Sequence, residues 1–283
     1  MAVTVRSGRI TRASRLRERR GRQQQRRFLA EGPQAVREAL ACGESPAEVF
    51  GTGAAARRHP ELPRMAADAG VPWTEIGDDV VAALADSVTP QGVLAVCRFL
   101  DRPLADVLLA GSRLVLIGAD VRDPGNAGTL LRCADAAGAD AAVVAGTSVD
   151  PYNPKAVRAS AGSLFHLPLA VDQDIDRTVA AARSAGLQVL AADGAGEILL
   201  DDAERRGLLA RPTAWLVGNE ARGLSPELRA MADETVAVPL YGRAESLNLA
   251  AAAAVCLYAS ARVQRASPSR LAAHDSTPPP ARR

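Results

Sequence analysis

The sequence predicts an α/β protein of two domains, a small one first and then a larger one built on a mostly parallel sheet. Three observations carry this. Runs such as RLVLIGAD at residues 113–120 are apolar almost throughout and bounded by polar turn residues, the mark of a strand buried on both faces. Helix-patterned stretches lie between such runs. A connector at residues 101–112, DRPLADVLLAGS, divides the runs into two sets, and Pro103 argues against a strand there. With 283 residues, 48% of them hydrophobic, the chain has material for about two cores.

The chain opens on a basic arm, residues 1–27, in which ten arginines stand against the single acid Glu18. The net charge of the whole chain is only +2, so the basic character is concentrated at this end. Its composition suits a helix with a basic face, either simply solvated or contacting RNA. Lys155 is the only lysine of the chain, and guanidinium suits bidentate phosphate contacts.

Residues 28–100 read as the small domain. FLAEG (28–32), AEVFGT (47–52), PWTEIG (72–77) and VLAVCRF (93–99) are strand candidates. Helices are expected after Pro33, in the sixties and from Asp78 to Ala85. Beyond the 101–112 linker, residues 113–262 form the larger domain. Its strands are expected at 113–120, 141–146, 164–171, 187–193, 213–218 and 234–240, with helices near 126–137, 154–161 and 174–185. A long alanine-rich helix closes the domain, with Ser246 standing where an N-cap belongs. The five small residues 250–254 would let a neighbouring backbone come close. The polar, proline-rich tail at 263–283 is expected to be disordered.

Several function classes are excluded by what the chain lacks. No run of eighteen apolar residues occurs and the N-terminus is arginine-rich, so no membrane span or secretory peptide is expected, and the cytoplasm is the expected location. Cys42, Cys97, Cys133 and Cys256 form no C-x-x-C pair, and His59, His166 and His274 are scattered, so no metal is expected. No Walker or Rossmann glycine pattern follows a strand. Aromatic residues are 3% of the chain, too few for broad base stacking of the single-strand-binding type.

Three stretches could carry chemistry. Asp123-Pro124-Gly125-Asn126 is turn chemistry after a buried strand, and Arg132 lies early in the helix that follows. By itself this is also an ordinary capped turn with a surface arginine. Gly218-Asn219-Glu220 and Gly223 follow another buried strand, at the carboxyl end where open parallel sheets bind ligands. Glu220 alone could be a solvated loop residue. The third stretch is Glu245-Ser246-Leu247-Asn248, leading into the last helix.

Together these stretches resemble the SpoU (TrmH) family of the SPOUT superfamily, RNA 2′-O-ribose methyltransferases that use S-adenosylmethionine. Asp123-Pro124-Gly125-Asn126 with Gly128 and Arg132 is similar to the first family motif, Gly218, Glu220 and Gly223 to the second, and Pro239 with Ser246-Leu247-Asn248 to the third. Asn219 departs from the pattern, since a serine is common there. Residues 151–168 and the 28–100 domain are similar to the rRNA-directed members, whose substrate-binding module resembles a ribosomal-protein α/β fold. The resemblance implies a SPOUT domain with a deep trefoil knot, a homodimer, S-adenosylmethionine as cofactor and structured RNA as partner, 23S rRNA before tRNA. It implies cofactor contacts from Gly218, Val238, Leu240 and Leu247, and a ribose site formed by Asn126, Arg132, Glu220, Ser246 and Asn248. A non-catalytic RNA-binding protein is the alternative, and it would not need Asn126, Arg132 and Asn248 together.

Overall fold

The computed structural model describes residues 4–43 and 46–266. It divides into two compact units that interleave along the chain. Among the described residues, the first comprises those up to Arg102 with Val121–Arg132 and Thr147–Leu169, and the second comprises Pro103–Asp120, Cys133–Gly146 and those from Ala170 onward.

The first unit is built on a four-stranded sheet of β1 (Arg27–Glu31), β2 (Glu48–Gly51), β3 (Trp73–Glu75) and β4 (Val93–Arg98) in the order β1-β4-β2-β3. β4 runs antiparallel to both neighbours, whereas β2 and β3 are parallel. The arginine-rich opening folds onto this unit as the helices Gly8–Ser14 and Arg19–Gln25, because it carries apolar residues at helical spacing. Ile10, Ala13 and Leu16 are buried in one core with Leu29, Phe50, Val80, Leu84 and Leu94. The arginines point outward, with one exception. Arg22 is buried and pairs with the equally buried Asp150 at 2.8 Å, and it also donates to the carbonyls of Leu16 and Arg17. A buried guanidinium needs such partners.

The second unit carries β5 (Leu114–Ala119), β6 (Ala141–Ala145), β7 (Leu169–Asp172), β8 (Gln188–Ala192), β9 (Ile198–Leu199), β10 (Thr213–Val217) and β11 (Glu234–Ala237). They form one sheet in the order β7-β6-β5-β10-β8-β11-β9, and every pairing from β6 to β9 is parallel. β5, β6 and β10 are buried at every position, which is why they read as unbroken apolar runs. The chain reaches the edge at β9, returns to the middle at β10, and then fills the slot between β8 and β9 with β11.

The helix Leu249–Ala266 packs on this sheet through Ala250, Ala253, Cys256, Leu257, Ser260 and Ala261. Ala250 and Ala253 at the contact have no bulk to hold the backbones apart. Trp215 on β10 is fully buried, and its indole N–H donates to Ser260 Oγ at 3.0 Å. The helix continues to Ala266, past the expected start of the tail, and residues 267–283 lie outside the described residues. The 164–171 run gives a strand only from Leu169, since Ser163–Phe165 forms a 3₁₀ turn ahead of Pro168. β9 and the helix Leu200–Arg205 were not expected. The linker holds a short helix, Leu104–Val107.

Candidate functional site

The carboxyl ends of β8, β10 and β11 and the segment entering the last helix surround a cavity of about 520 Å³ in the second unit. This size suits a nucleoside-bearing small molecule. Gly218, Glu220, Val238, Leu240, Ser246 and Leu247 all line it. Asn248 stands one residue before the last helix.

The walls are held together by backbone close approach. After β10 the chain folds back on itself, Asn219 and Gly223 exchanging N–H···O bonds of 3.0 and 2.9 Å around a tight turn. A Cβ at Gly218 would lie 2.6 Å from the Gly223 carbonyl oxygen, so glycine is required there by the loop itself. Gly196 is equally confined, since a Cβ there would lie 2.8 Å from both the Ala237 nitrogen and the Thr235 oxygen.

Two side chains tie these loops down. Asn219 Nδ2 donates to the Asp120 carbonyl at 3.1 Å, and Oδ1 accepts from the N–H groups of Ala221 and Arg222. Asp120 is itself left-handed, with φ of +55°. Asp193, at the end of β8, accepts from the N–H groups of Leu224 at 3.0 Å and Ala195 at 2.9 Å, with Arg229 at 3.4 Å. Neither role was expected. In the sequence Asn219 stands out only as a departure from a serine, and a single aspartate in a turn carries no periodic signal. The glycines in ADGAGE at residues 192–197 were the available clue.

Entry to the last helix differs from expectation. Ser246 is exposed and does not cap it. The helix starts at Leu249, and Asn248 is the cap, its Oδ1 accepting from the Ala250 N–H at 2.9 Å while its carbonyl accepts from Ala252 at 2.9 Å. An Asn side chain two residues before a free N–H closes this bond directly, and Ser246 stands too far back.

Asn126 and Arg132 belong to the first unit, on the helix Pro124–Ala137, and are not among the cavity's lining residues. That helix begins one or two residues earlier than expected because Asp123 caps it, Oδ1 accepting from the Asn126 N–H at 2.8 Å. Oδ2 accepts from Lys155 Nζ at 3.0 Å. The Lys155 ammonium, then the Asn126 N–H, hold the Asp123 carboxyl below the usual carboxylate range. Gly128 is explained by packing, since a Cβ there would lie 2.2 Å from the Ala156 carbonyl oxygen. Arg132 is exposed.

Nothing in the cysteines suggests chemistry. Burial pushes the Cys256 thiol up to about 12 and raises Cys97 as well. Among the described residues, no cluster of three metal-ligating side chains occurs and no helix is long and apolar enough to cross a membrane.

Comparison with known proteins bears on both units. Residues 113–258 match the model of the SpoU rRNA Methylase family, and residues 8–95 match that of the MRM3-like substrate binding domain. The 23S rRNA (guanosine(2553)-2'-O)-methyltransferase RlmP of Bacillus subtilis is 34% identical over 232 residues, covering 82% of this chain and 87% of its own. An AdoMet-bound rRNA methyltransferase from Sinorhizobium meliloti superposes with a TM-score of 0.80 at 29% identity, over 92% of this chain and 97% of its own. The SpoU methyltransferase AviRb from Streptomyces viridochromogenes, in complex with AdoMet, gives 0.79 at 30% identity, over 90% and 98%.

Proposed function

The chain belongs to the SpoU rRNA methylase family, and from that premise we propose that it transfers a methyl group from S-adenosylmethionine to a ribose 2′-hydroxyl of 23S rRNA. The observation that carries this reading is the cavity at the ends of β8, β10 and β11, walled by backbone that Gly218 and Gly196 allow into close approach. The cavity fits the cofactor by size, and its wall joins glycine backbone and apolar side chains such as Val238 and Leu247 to polar ones such as Asp193 and Glu245, which suits an adenosyl group carrying a charged amino-acid end. Gly218, Val238, Leu240 and Leu247 would hold it there. When bound, S-adenosylmethionine supplies an electrophilic methyl group on a sulfonium.

The protein's own task is to hold the ribose hydroxyl in line with that methyl group. Asn126, Ser246 and Asn248 offer hydrogen-bonding groups to orient the hydroxyl, with Glu220 in the cavity wall. Arg132 clamps the adjoining phosphate and steadies the developing alkoxide. Its guanidinium offers donors and no acceptor, so it is not suited to remove the proton as a resident base.

The domain assignment follows: a substrate-binding module at residues 28–100 preceded by the basic stretch, a linker at 101–112 and a SPOUT domain at 113–262. The late insertion of β11 between β8 and β9, followed by the return of the last helix to β10 and β5, supports a knotted chain. The exposed Val255 and Tyr258 on the last helix support a homodimer, since an apolar stripe at helical spacing suits a partner helix. A cytoplasmic location accords with an rRNA substrate.

Calorimetric titration with S-adenosylmethionine tests the proposal. The wild type is expected to bind, Gly218→Val to lose binding because the 218–223 loop must open, and Asn126→Ala to bind like the wild type. Loss of binding in Asn126→Ala with retention in Gly218→Val would refute the division between cofactor and ribose residues.

A further inference from the structure

Four aromatic rings of the first unit form a continuous ladder. Phe165 lies 5.9 Å from Phe28, Phe28 4.8 Å from Tyr152, and Tyr152 4.0 Å from Phe99 with the rings 15° from parallel. At the outer end, the Arg26 guanidinium sits over Phe99, 4.6 Å from the ring centroid.

Arg26 is an unusual residue for its place. It is the C-cap of the helix Arg19–Gln25 with φ of +49°, a left-handed position that glycine or asparagine ordinarily takes. Its guanidinium donates to Asp101 Oδ2 at 3.1 Å, and Asp101 Oδ1 accepts from the Tyr152 hydroxyl at 2.7 Å. Tyr152 is 2% exposed, and its oxygen also accepts from the N–H groups of Leu100 and Asp101. The Arg26 side chain, by contrast, is 59% exposed. A buried anchor thus fixes a flat cation whose inner face is on a ring, whose edge is on a carboxylate, and whose outer face is open to solvent. That is the arrangement by which unpaired bases are stacked on arginine planes.

The neighbouring strand arginines are not part of this platform. Arg27 and Arg98 stand directly opposite each other in the β1–β4 pairing, both exposed, and by strand alternation they share the face of Leu29 and Val96, opposite to that of Phe28 and Phe99.

We propose that Arg26, seated on Phe99, stacks one unpaired nucleobase of an RNA substrate. This rests on the reading of the chain as an RNA methyltransferase and specifies how the RNA is engaged.

The test uses the full-length protein and a single-stranded RNA of about twelve nucleotides carrying 2-aminopurine, with a duplex of equal length as control. Arg26→Lys keeps the charge and loses the plane. It is expected to weaken single-strand binding roughly 5- to 100-fold and abolish 2-aminopurine quenching. Duplex binding, the salt slope and S-adenosylmethionine affinity should not change. Arg26→Gly removes the side chain and relieves the left-handed backbone, so binding should fall while Tm holds or rises. Unchanged single-strand affinity and quenching in Arg26→Lys would overturn the proposal, as would a loss equal for single strand and duplex. Either failure leaves wild-type cofactor binding and methyl transfer intact, whereas failure of the methyltransferase reading would appear in those two assays alone.

Discussion

Asn219 Nδ2 donates to the carbonyl of Asp120 across 3.1 Å, joining the loop after β10 to the end of β5, while its Oδ1 organises the turn it begins. A serine hydroxyl is too short to do both. Asn219→Ala removes all three bonds at the rim of the cavity and should weaken S-adenosylmethionine binding roughly 5- to 30-fold, from about 1–2 kcal/mol of lost organisation. Asn219→Ser should recover part of that loss. Calorimetry on both variants checks it, and an alanine variant with wild-type affinity would show that the turn holds itself.

Asp193 joins three segments around the same cavity through Leu224, Ala195 and Arg229. Asp193→Ala leaves the Leu224 and Ala195 N–H groups without their acceptor, so cofactor affinity should fall together with Tm. Asp193→Asn retains one acceptor oxygen and should fall less in both. Equal affinities across the three proteins would mean that the backbone close approach at Gly218 suffices.

The bond from Trp215 to Ser260 anchors the last helix from inside the core, both side chains being fully buried. Ser260→Ala should cost about 1–3 kcal/mol by leaving the indole N–H unpaired. Ser260→Thr, which keeps the hydroxyl but adds a methyl group, should be limited by crowding instead. Urea unfolding provides the values, and a Ser260→Ala midpoint equal to the wild type would show that the bond contributes nothing.

Asp123 offers a pH test of the turn that carries Asn126. Its carboxyl is lowered first by the bond from Lys155, so the capped form is complete above the ordinary value near 4 and is lost only as pH falls through the lower folded value. A carboxyl-carbon NMR titration should place the inflection below about 3.9, and Lys155→Met should move it up. Because the ion pair is exposed, little change in Tm is expected. An inflection at the ordinary value in the wild type would contradict the role given to Lys155.

Much of this architecture was legible because burial on both faces leaves an unbroken apolar signature, as in β5, β6 and β10. Gly218, Glu220, Ser246 and Leu247, far apart in the chain, could be placed beside one cavity because each lies just past a strand or just before the last helix. The rest depended on partners distant in sequence. Arg22 reads as one more surface arginine until Asp150, 128 residues on, buries with it. Gly218 reads as room for a ligand, whereas the carbonyl of Gly223 is what excludes a side chain. The choice between Ser246 and Asn248 as cap depends on which side chain reaches a free N–H, and composition favours both alike. β9, with two residues, is too short for any periodicity.

The most direct measurement is methyl transfer itself. Purified protein is incubated with labelled S-adenosylmethionine and 23S rRNA from cells lacking this activity, and the RNA is digested to nucleosides. Label is expected in a single 2′-O-methylnucleoside. Arg132→Ala should lower the rate by about 10²- to 10³-fold while cofactor binding persists. No incorporation into 23S rRNA, or label recovered on a base rather than on ribose, would contradict the proposed function.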